Sequence, residues 1–338
     1  MNNRSEPRVR APVVVFAYNR LKLLKQTIDD LRKNHGAIDS DLNIFIDGPR
    51  TEKDALINKE IINFITTVEG FRTVQHYAHT QNLGLKKSIL FGVNYMLERN
   101  DRLIVLEDDL RTGPYFLDYM NDALELYKNE PQVCQVSGYS YLERYLGERS
   151  PDSTYFILGG DCLAWGTWRR AWECYNDDSN DLYSKIIKNR SLKDFDRNGS
   201  SPFSQALRNN ANSQRSWAIN WLASTYLLDM LTLYPVKSLA RHVVNRNEKG
   251  TNYYKMKNDP LDVPVSEERN IIKKIDILAL EDIEKSYQQF LRLYKRPFPE
   301  RFIHLFYRTI RRSQANKPKN NWQQDISILL DSGSTGLV

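Results

Sequence analysis

The chain has 338 residues, 41% apolar and 27% charged, a composition that can bury a large core and that marks a globular protein. No run approaches the roughly 18 apolar residues that a bilayer span takes, and Met1 to Arg10 is polar without the apolar centre of a signal sequence. The expected home is therefore cytoplasmic, in the cytosol or on the inner face of a membrane. The formal charge of +6 suits nucleic acid, anionic lipid or a phosphorylated substrate without choosing among them.

The first third alternates apolar runs with amphipathic patterns, which predicts βαβ units and a parallel sheet buried on both faces. Pro12 to Ala17 (PVVVFA) is the first strand, and Tyr18-Asn19-Arg20 leads from it into a helix with Leu21, Leu24, Ile28 and Leu31 on one face. Leu42 to Ile46 is the second strand, closed by the turn Asp47-Gly48-Pro49, with a helix through Ile57, Ile61, Phe64 and Val68 after it. A third strand is expected near Thr73 to Tyr77. Asn82-Leu83-Gly84 then opens a helix through Ile89, Val93 and Met96. Leu103 to Leu106 is the fourth strand and runs straight into Glu107-Asp108-Asp109.

Phe116, Met120, Ala123 and Tyr127 mark the next helix, and Val133 to Ser137 and Tyr155 to Leu158 read as strands. The aromatic stretch Trp165 to Trp172 looks helical. Asn176 to Pro202 is polar and reads as a long excursion near a site. Beyond Leu261 the pattern is helical, ending in a Ser/Gly tail. Arg301, Arg308, Arg311 and Arg312 with Phe302, Ile303, Phe306 and Ile310 predict a basic amphipathic helix, suited to an anionic membrane surface or simply to packing on the protein body. Cys134, Cys162 and Cys174 form neither a metal-spaced pair nor an even disulfide framework, and read as packed thiols in a reducing compartment.

Ligands of open parallel sheets bind at the carboxyl ends of the strands, and four successive strands here end in polar residues: Asn19-Arg20, Asp47, Asn82 and Glu107-Asp108-Asp109. Three adjacent acids raise one another's pKa unless a counter-charge relieves them. A hard divalent ion such as Mg²⁺ or Mn²⁺ would do so, taking carboxylate and phosphate oxygens together. The competing explanation is an acidic helix N-terminus complementing the helix dipole. Asp47 could equally serve a plain tight turn, and Arg20 a solvated helix start.

RLIVLEDDL resembles the EDD form of the DxD motif in GT-A glycosyltransferases, notably the N-acetylglucosaminyltransferase I-like group and bacterial family 2-like sugar transferases. VVVFAYNR, LNIFIDGPR, NLGLKKSILFGV and GGDCLAWGTWRRAW extend the likeness over residues 10 to about 255, in order. The resemblance implies an α/β, Rossmann-like, mostly parallel sheet flanked by helices over 10–255; beyond it the pattern and composition predict a helical C-terminal region at 256–330 and a flexible tail at 331–338. It implies that Asp109 holds a Mn²⁺ or Mg²⁺ bridging the donor diphosphate, that Asp108 meets ribose or sugar, and that Glu107 braces the loop or sugar. Nucleotide contacts would come from Ala17, Tyr18, Asn19, Arg20, Asp47, Asn82 and Lys86, with Asp47 accepting from a pyrimidine N3–H.

Sugar transfer also needs a base for the acceptor hydroxyl. Asp161, after Gly159-Gly160, is the candidate. It could equally cap the expected Trp165 to Trp172 helix, and the likeness places the base a few residues earlier; Asp152 and Glu173 are reserves. Trp165 would stack on a sugar or fill the core. Ser216-Trp217 to Trp221 resembles the SWxxxW segment of the bacterial members, and the segment His242 to Asn252 their closing loop. His242 would then touch metal or diphosphate, or be structural.

The resulting expectation is an inverting hexosyltransferase that moves sugar from a nucleotide-sugar, a UDP-sugar by preference, to a glycan or lipid-linked glycan acceptor in surface polysaccharide synthesis. A sugar-phosphate nucleotidyltransferase would need a glycine-rich loop after the first strand, which AYNRLKLL lacks. A catalytically inactive nucleotide-sugar-binding module remains open. No nucleic-acid-binding motif is present.

Overall fold

A computed structural model describes residues 9–147, 151–243 and 261–294. Strand β1 (Val13–Ala17) is buried along its whole length, as a central strand covered on both faces must be. The chain continues through α1 (Leu21–Arg32), β2 (Asp41–Ile46), α2 (Glu52–Ile65), β3 (Thr73–Ala78), α3 (Leu85–Leu97) and β4 (Arg102–Glu107). Thr51 and Asp54 form a capping box at the head of α2, satisfying backbone N–H groups that the first turn leaves free.

After β4 come β5 (Leu110–Thr112), α4 (Phe116–Leu126), β6 (Val133–Ser137), β7 (Thr154–Leu158), β8 (Trp165–Trp168) and α5 (Arg169–Trp172). Then follow α6 (Ser179–Asn189), α7 (Leu192–Phe195), α8 (Phe203–Ser213), α9 (Ala218–Leu227), β9 (Leu231–Pro235), β10 (Ala240–His242) and α10 (Glu281–Tyr294).

The eight-stranded sheet has the order β3-β2-β1-β4-β8-β6-β9-β7, and only β8 and β7 run against the other strands. The βαβ units are those that the alternating pattern predicts, and the whole is the α/β, mostly parallel, Rossmann-like sheet that the resemblance implies. Its strand order reverses between β1 and β4, which opens a crevice at their carboxyl ends. A two-stranded ribbon stands beside the sheet, β10 pairing antiparallel with β5 so that His242 lies opposite Leu110.

Three expectations are corrected. Trp165 to Trp168 is a strand pairing with both β4 and β6, and only Arg169–Trp172 is helical, because these aromatics fill a sheet interior rather than one helix face. The polar stretch 176–202 is largely helical, with Asp178 capping α6 and Leu182, Ile186 and Phe195 joining α8 and α9 in an apolar cluster of their own. Its apolar stripes are narrow and were hidden by the Asp/Asn/Ser content. Residues 261–280 contain no helix: Ile272, Ile275 and Ile277 lay an extended segment along the main core, and α10 follows. The basic segment 301–312 lies outside the described residues.

Among those residues no helix is long and apolar enough to cross a membrane. Cys134 is buried, Cys162 and Cys174 are half-buried, and all three are free thiols.

Gly92 lets α3 press on the sheet. A Cβ there would stand 2.6 Å from the Phe16 ring and 3.1 Å from Phe45. Gly92→Ala is expected to lower unfolding free energy by about 1–3 kcal/mol through overpacking, read as a lower urea midpoint at unchanged slope.

Candidate active site

The switch between β1 and β4 places two strand ends side by side. Phe16 is in register with Glu107, and the Asp108 N–H donates to the Phe16 carbonyl at 3.0 Å. Tyr18-Asn19-Arg20 therefore emerges directly against Glu107-Asp108-Asp109. The Thr27 hydroxyl, nearly two turns into α1, donates to the carbonyls of Asp108 and Leu110 at 2.9 and 2.8 Å and pins the acidic turn from below. The triplet does not head a helix. It runs into β5, and α4 begins only at Phe116, so the helix-capping explanation fails.

Arg20 closes over the acids. Its guanidinium pairs with Asp108 through one nitrogen and donates to Asp109 Oδ2 at 2.7 Å through the other. From the far side His242 Nε2 stands 3.2 Å from the same Asp109 oxygen, delivered by the β5–β10 ribbon and by the Val243 N–H donating to the Asp109 carbonyl at 2.7 Å. Asp108 is 1% exposed, and its Oδ2 has no hydrogen-bond partner among the described residues. Such an orphaned carboxylate oxygen is costly in a protein interior.

Among the described residues the charges do not balance: three carboxylates face Arg20 and, when protonated, His242. Burial and the neighbouring Asp109 charge push the Glu107 pKa upward. Burial, against the pull of Arg20, does the same for Asp108. At Asp109 burial is outweighed by His242 and Arg20, which hold it below the ordinary carboxylate value. Burial works against charge on His242, yet Asp109 and Glu107 prevail and raise its pKa. Arg20 likewise is held above its usual value, Asp108 and Asp109 overcoming its desolvation.

Among the described residues no group of three or more His, Cys, Asp or Glu side chains is arranged to hold a metal ion. The donors fit one that draws on few protein ligands. Asp109 Oδ2 and His242 Nε2 converge on one side of the acids, and Asp108 Oδ2 is unused. A hard divalent ion bound with a nucleotide needs one or two carboxylates, its other positions going to phosphate and water.

The remaining expected residues fall into two groups. Tyr18 and Asn19 bind Asp54, the hydroxyl at 2.8 Å and the amide at 2.7 Å, so the capping box of α2 also fixes the exit of β1. Asp47 is a clasp for its own surroundings. Its oxygens accept from the N–H groups of Gly48, Leu83 and Gly84 and from the Asn82 amide, all at 2.8–2.9 Å. Those four bonds fill the carboxylate's acceptor sites, so a nucleobase N–H would have to displace one of them. Gly84, with φ of +79°, suits the approach of its N–H to that carboxylate.

Asn82 also accepts from Arg50 Nε at 2.7 Å, and the Arg50 guanidinium stands 5.7 Å from the Tyr18 ring centre. Ala17 is buried at the end of β1. Lys86 is buried too, and its ammonium pairs with Asp177 at 2.6 Å and donates to Gln214 at 2.9 Å.

Asp161 is half-buried in the segment between β7 and β8, so no helix follows for it to cap. Burial raises its pKa despite hydrogen bonds from the Cys162 backbone, Tyr141 and Tyr234. Next to it the Cys162 thiol is pushed up by burial and then by the charges of Asp161 and Glu107. Gly160 lies against the Trp221 indole, whose N–H donates to Gln135 at 2.6 Å, while Gln135 accepts the Asp161 N–H at 3.1 Å.

Trp165 is 1% exposed and stacked with Trp172 and Trp217, hence core rather than a sugar platform. Glu173 follows α5, which starts beside Asp101 at the opposite end of β4, and Asp152 is exposed ahead of β7. Asp54, Thr27, Gln135, Tyr141 and Tyr234 escaped the sequence reading. Only Asp54 carried a local signal, the Thr51-x-x-Asp54 spacing.

The sequence matches no family model and no curated protein. Solved structures give distant likenesses. Mannosyltransferase PcManGT from Pyrobaculum calidifontis, in complex with GDP-Man and Mn²⁺, is 15% identical over 39% of this chain and 36% of its own, with a TM-score of 0.30. GalNAc-T7 with UDP, GalNAc and Mn²⁺ is 11% identical over 72% of this chain and 45% of its own, with a TM-score of 0.45. S. aureus TarS is 13% identical over 49% of this chain and 30% of its own, with a TM-score of 0.31. The chain thus spans less than half the length of each.

The Asp54 anchor gives a pH test. The Asn19 hydrogen bond leads the effects that outweigh burial and bring its pKa from the ordinary 3.8 to about 2, with Tyr18, Thr51 and the Arg50 backbone adding to it. The unfolded chain therefore takes up the proton first. The stabilisation is whole above about pH 4 and is lost as pH falls through about 2. Asp54→Ala is expected to cost about 1–3 kcal/mol at pH 7, a deficit that narrows on acidification; an equal deficit at pH 7 and pH 2.5 in urea titrations would contradict this.

Proposed function

We propose that the chain is a metal-dependent GT-A glycosyltransferase that moves a sugar, with inversion, from a UDP-sugar to a glycan or lipid-linked glycan acceptor in surface polysaccharide synthesis. The observation that carries the reading is the acidic turn at the β1/β4 switch. Among the described residues it holds more buried carboxylate than its basic neighbours neutralise, and one of its oxygens is left unpartnered.

Asp109 and His242 are the residues that would hold Mn²⁺ or Mg²⁺. Bound there, the ion would stabilise the charge gathering on the diphosphate leaving group. Arg20 lies between nucleotide and acids, and can keep Asp109 ionised and oriented whether or not a donor is present. Glu107, half-buried beside them, braces the sugar side. Tyr18, Asn19, Asn82 and Arg50 border the nucleoside, with Asp47 shaping the loop that carries Asn82.

Asp161 is the base. It follows Gly159-Gly160, it is desolvated, and its raised pKa suits removal of a hydroxyl proton as the acceptor attacks the anomeric carbon. Inversion, the UDP preference and the polysaccharide setting rest on the motif resemblance. A nucleotide-sugar-binding protein without turnover would share the cation and donor sites, but would not depend on Asp161.

Thermal-shift screening of nucleotide-sugars with and without Mn²⁺ tests the site, since a ligand that binds the native state must stabilise it. A UDP-sugar is expected to give the largest Mn²⁺-dependent shift, and Asp109→Ala to abolish it. Equal shifts in the two proteins would remove the acids from the donor site. Asp161→Asn is expected to keep the shift while donor hydrolysis falls at least about a hundredfold.

A further inference from the structure

Asp161 is held by residues that come from distant parts of the chain. The Tyr141 hydroxyl donates to both of its carboxylate oxygens at 2.9 Å, the Tyr234 hydroxyl to Oδ2 at 3.2 Å, and the Cys162 N–H to Oδ1 at 2.7 Å. Tyr141 cannot easily leave, because its ring is packed on every side. Tyr139 lies 4.8 Å away, Phe290 5.0 Å, Tyr234 5.9 Å and Tyr287 6.0 Å between ring centres. Tyr287 and Phe290 belong to α10, beyond the expected catalytic region. A second tie runs from the same helix: buried Arg197 pairs with Glu284 of α10 at 3.3 Å and donates to the Leu158 carbonyl, immediately before Gly159-Gly160-Asp161.

We propose that Tyr141, backed by α10, is a positioning residue for the reaction: it fixes the plane of the Asp161 carboxylate and keeps it ionised, so that the base is built only when α10 is docked. The proposal rests on the reading of Asp161 as the base. A hydroxyl spanning both oxygens leaves the carboxylate little freedom to rotate, and hydrogen bonds to the charged form oppose the desolvation that favours protonation. Among the described residues the titratable groups bonded or adjacent to Asp161 are Tyr141, Tyr234 and Cys162; Tyr287 packs against Tyr141, with Arg197 5.8 Å from its ring centre and Glu284 paired to Arg197. No lysine or arginine side chain is among the groups that bind the carboxylate, so the phenols are its principal side-chain donors among the described residues.

The test uses the full chain labelled with ¹³C at the aspartate γ-carbon, titrated by NMR, with Asp161→Asn identifying the Asp161 resonance. In Tyr141→Phe that resonance is expected to titrate about one pH unit higher, a tenfold gain in proton affinity, and Phe290→Leu is expected to move it the same way by less. Mn²⁺-dependent hydrolysis of the UDP-sugar with the largest thermal shift is expected to show its acidic limb displaced upward by the same amount in Tyr141→Phe, with KM little changed. A Tyr141→Phe protein that folds and titrates like wild type overturns the proposal. If Tyr141→Phe does not fold, Tyr234→Phe and Phe290→Leu carry the comparison, and unshifted resonances in both overturn it equally. Undiminished hydrolysis by Asp161→Asn would instead overturn the base reading, and the NMR titration would still show whether Tyr141 controls that carboxylate.

Discussion

Repulsion among Glu107, Asp108 and Asp109 is the constraint around which this end of the sheet is arranged. Three carboxylates on one turn, largely withdrawn from water, demand positive charge from outside their own segment. Arg20 arrives from the neighbouring strand and His242 from the β5–β10 ribbon. Each meets Asp109, so the most stabilised acid is the one that both cations share. Among the described residues Glu107 and Asp108 remain under-compensated, and Asp108 keeps an oxygen without a partner. A cation with a nucleotide diphosphate would meet that demand while bringing its own anionic ligands.

The same logic explains why so much scaffolding is spent on strand exits. Thr27 pins the acidic turn, Asp54 pins Tyr18 and Asn19, and Asp47 pins the loop 82–84. None of these three needs to touch a substrate to matter. They remove freedom from backbone that would otherwise be loop, so the residues that face a ligand start from one arrangement rather than many. Asp47 shows how a residue can sit at the right strand end yet have its acceptor sites filled by protein.

Much of the architecture could be read along the chain because the signals are local. β1, β2 and β4 are short apolar runs followed by turn chemistry, and the helices between them repeat at helical spacing. Reading failed where the environment rather than the local pattern decides. Trp165 to Trp168 could be helix or strand, and it is a strand because it lies between β4 and β6 and pairs antiparallel with both. The polar stretch that became α6 and α7 hides its apolar residues on one face each, and 261–280 is held extended by isoleucines seated on the main core. Trp165 was left between two roles that only burial could separate.

By itself the sequence determined the alternation of strands and helices and the polar residues at each strand end, including the acidic triplet, since these depend on neighbours within a few positions. Only the tertiary structure decided what those residues meet. Arg20 finds Asp108 and Asp109 because the strand order places β1 beside β4; His242 reaches Asp109 across a ribbon, and Tyr141, Tyr234 and α10 close on Asp161 from three separate stretches. Contacts of that kind are set by sheet order and packing, where positions far apart in the chain become neighbours, and no local pattern encodes them.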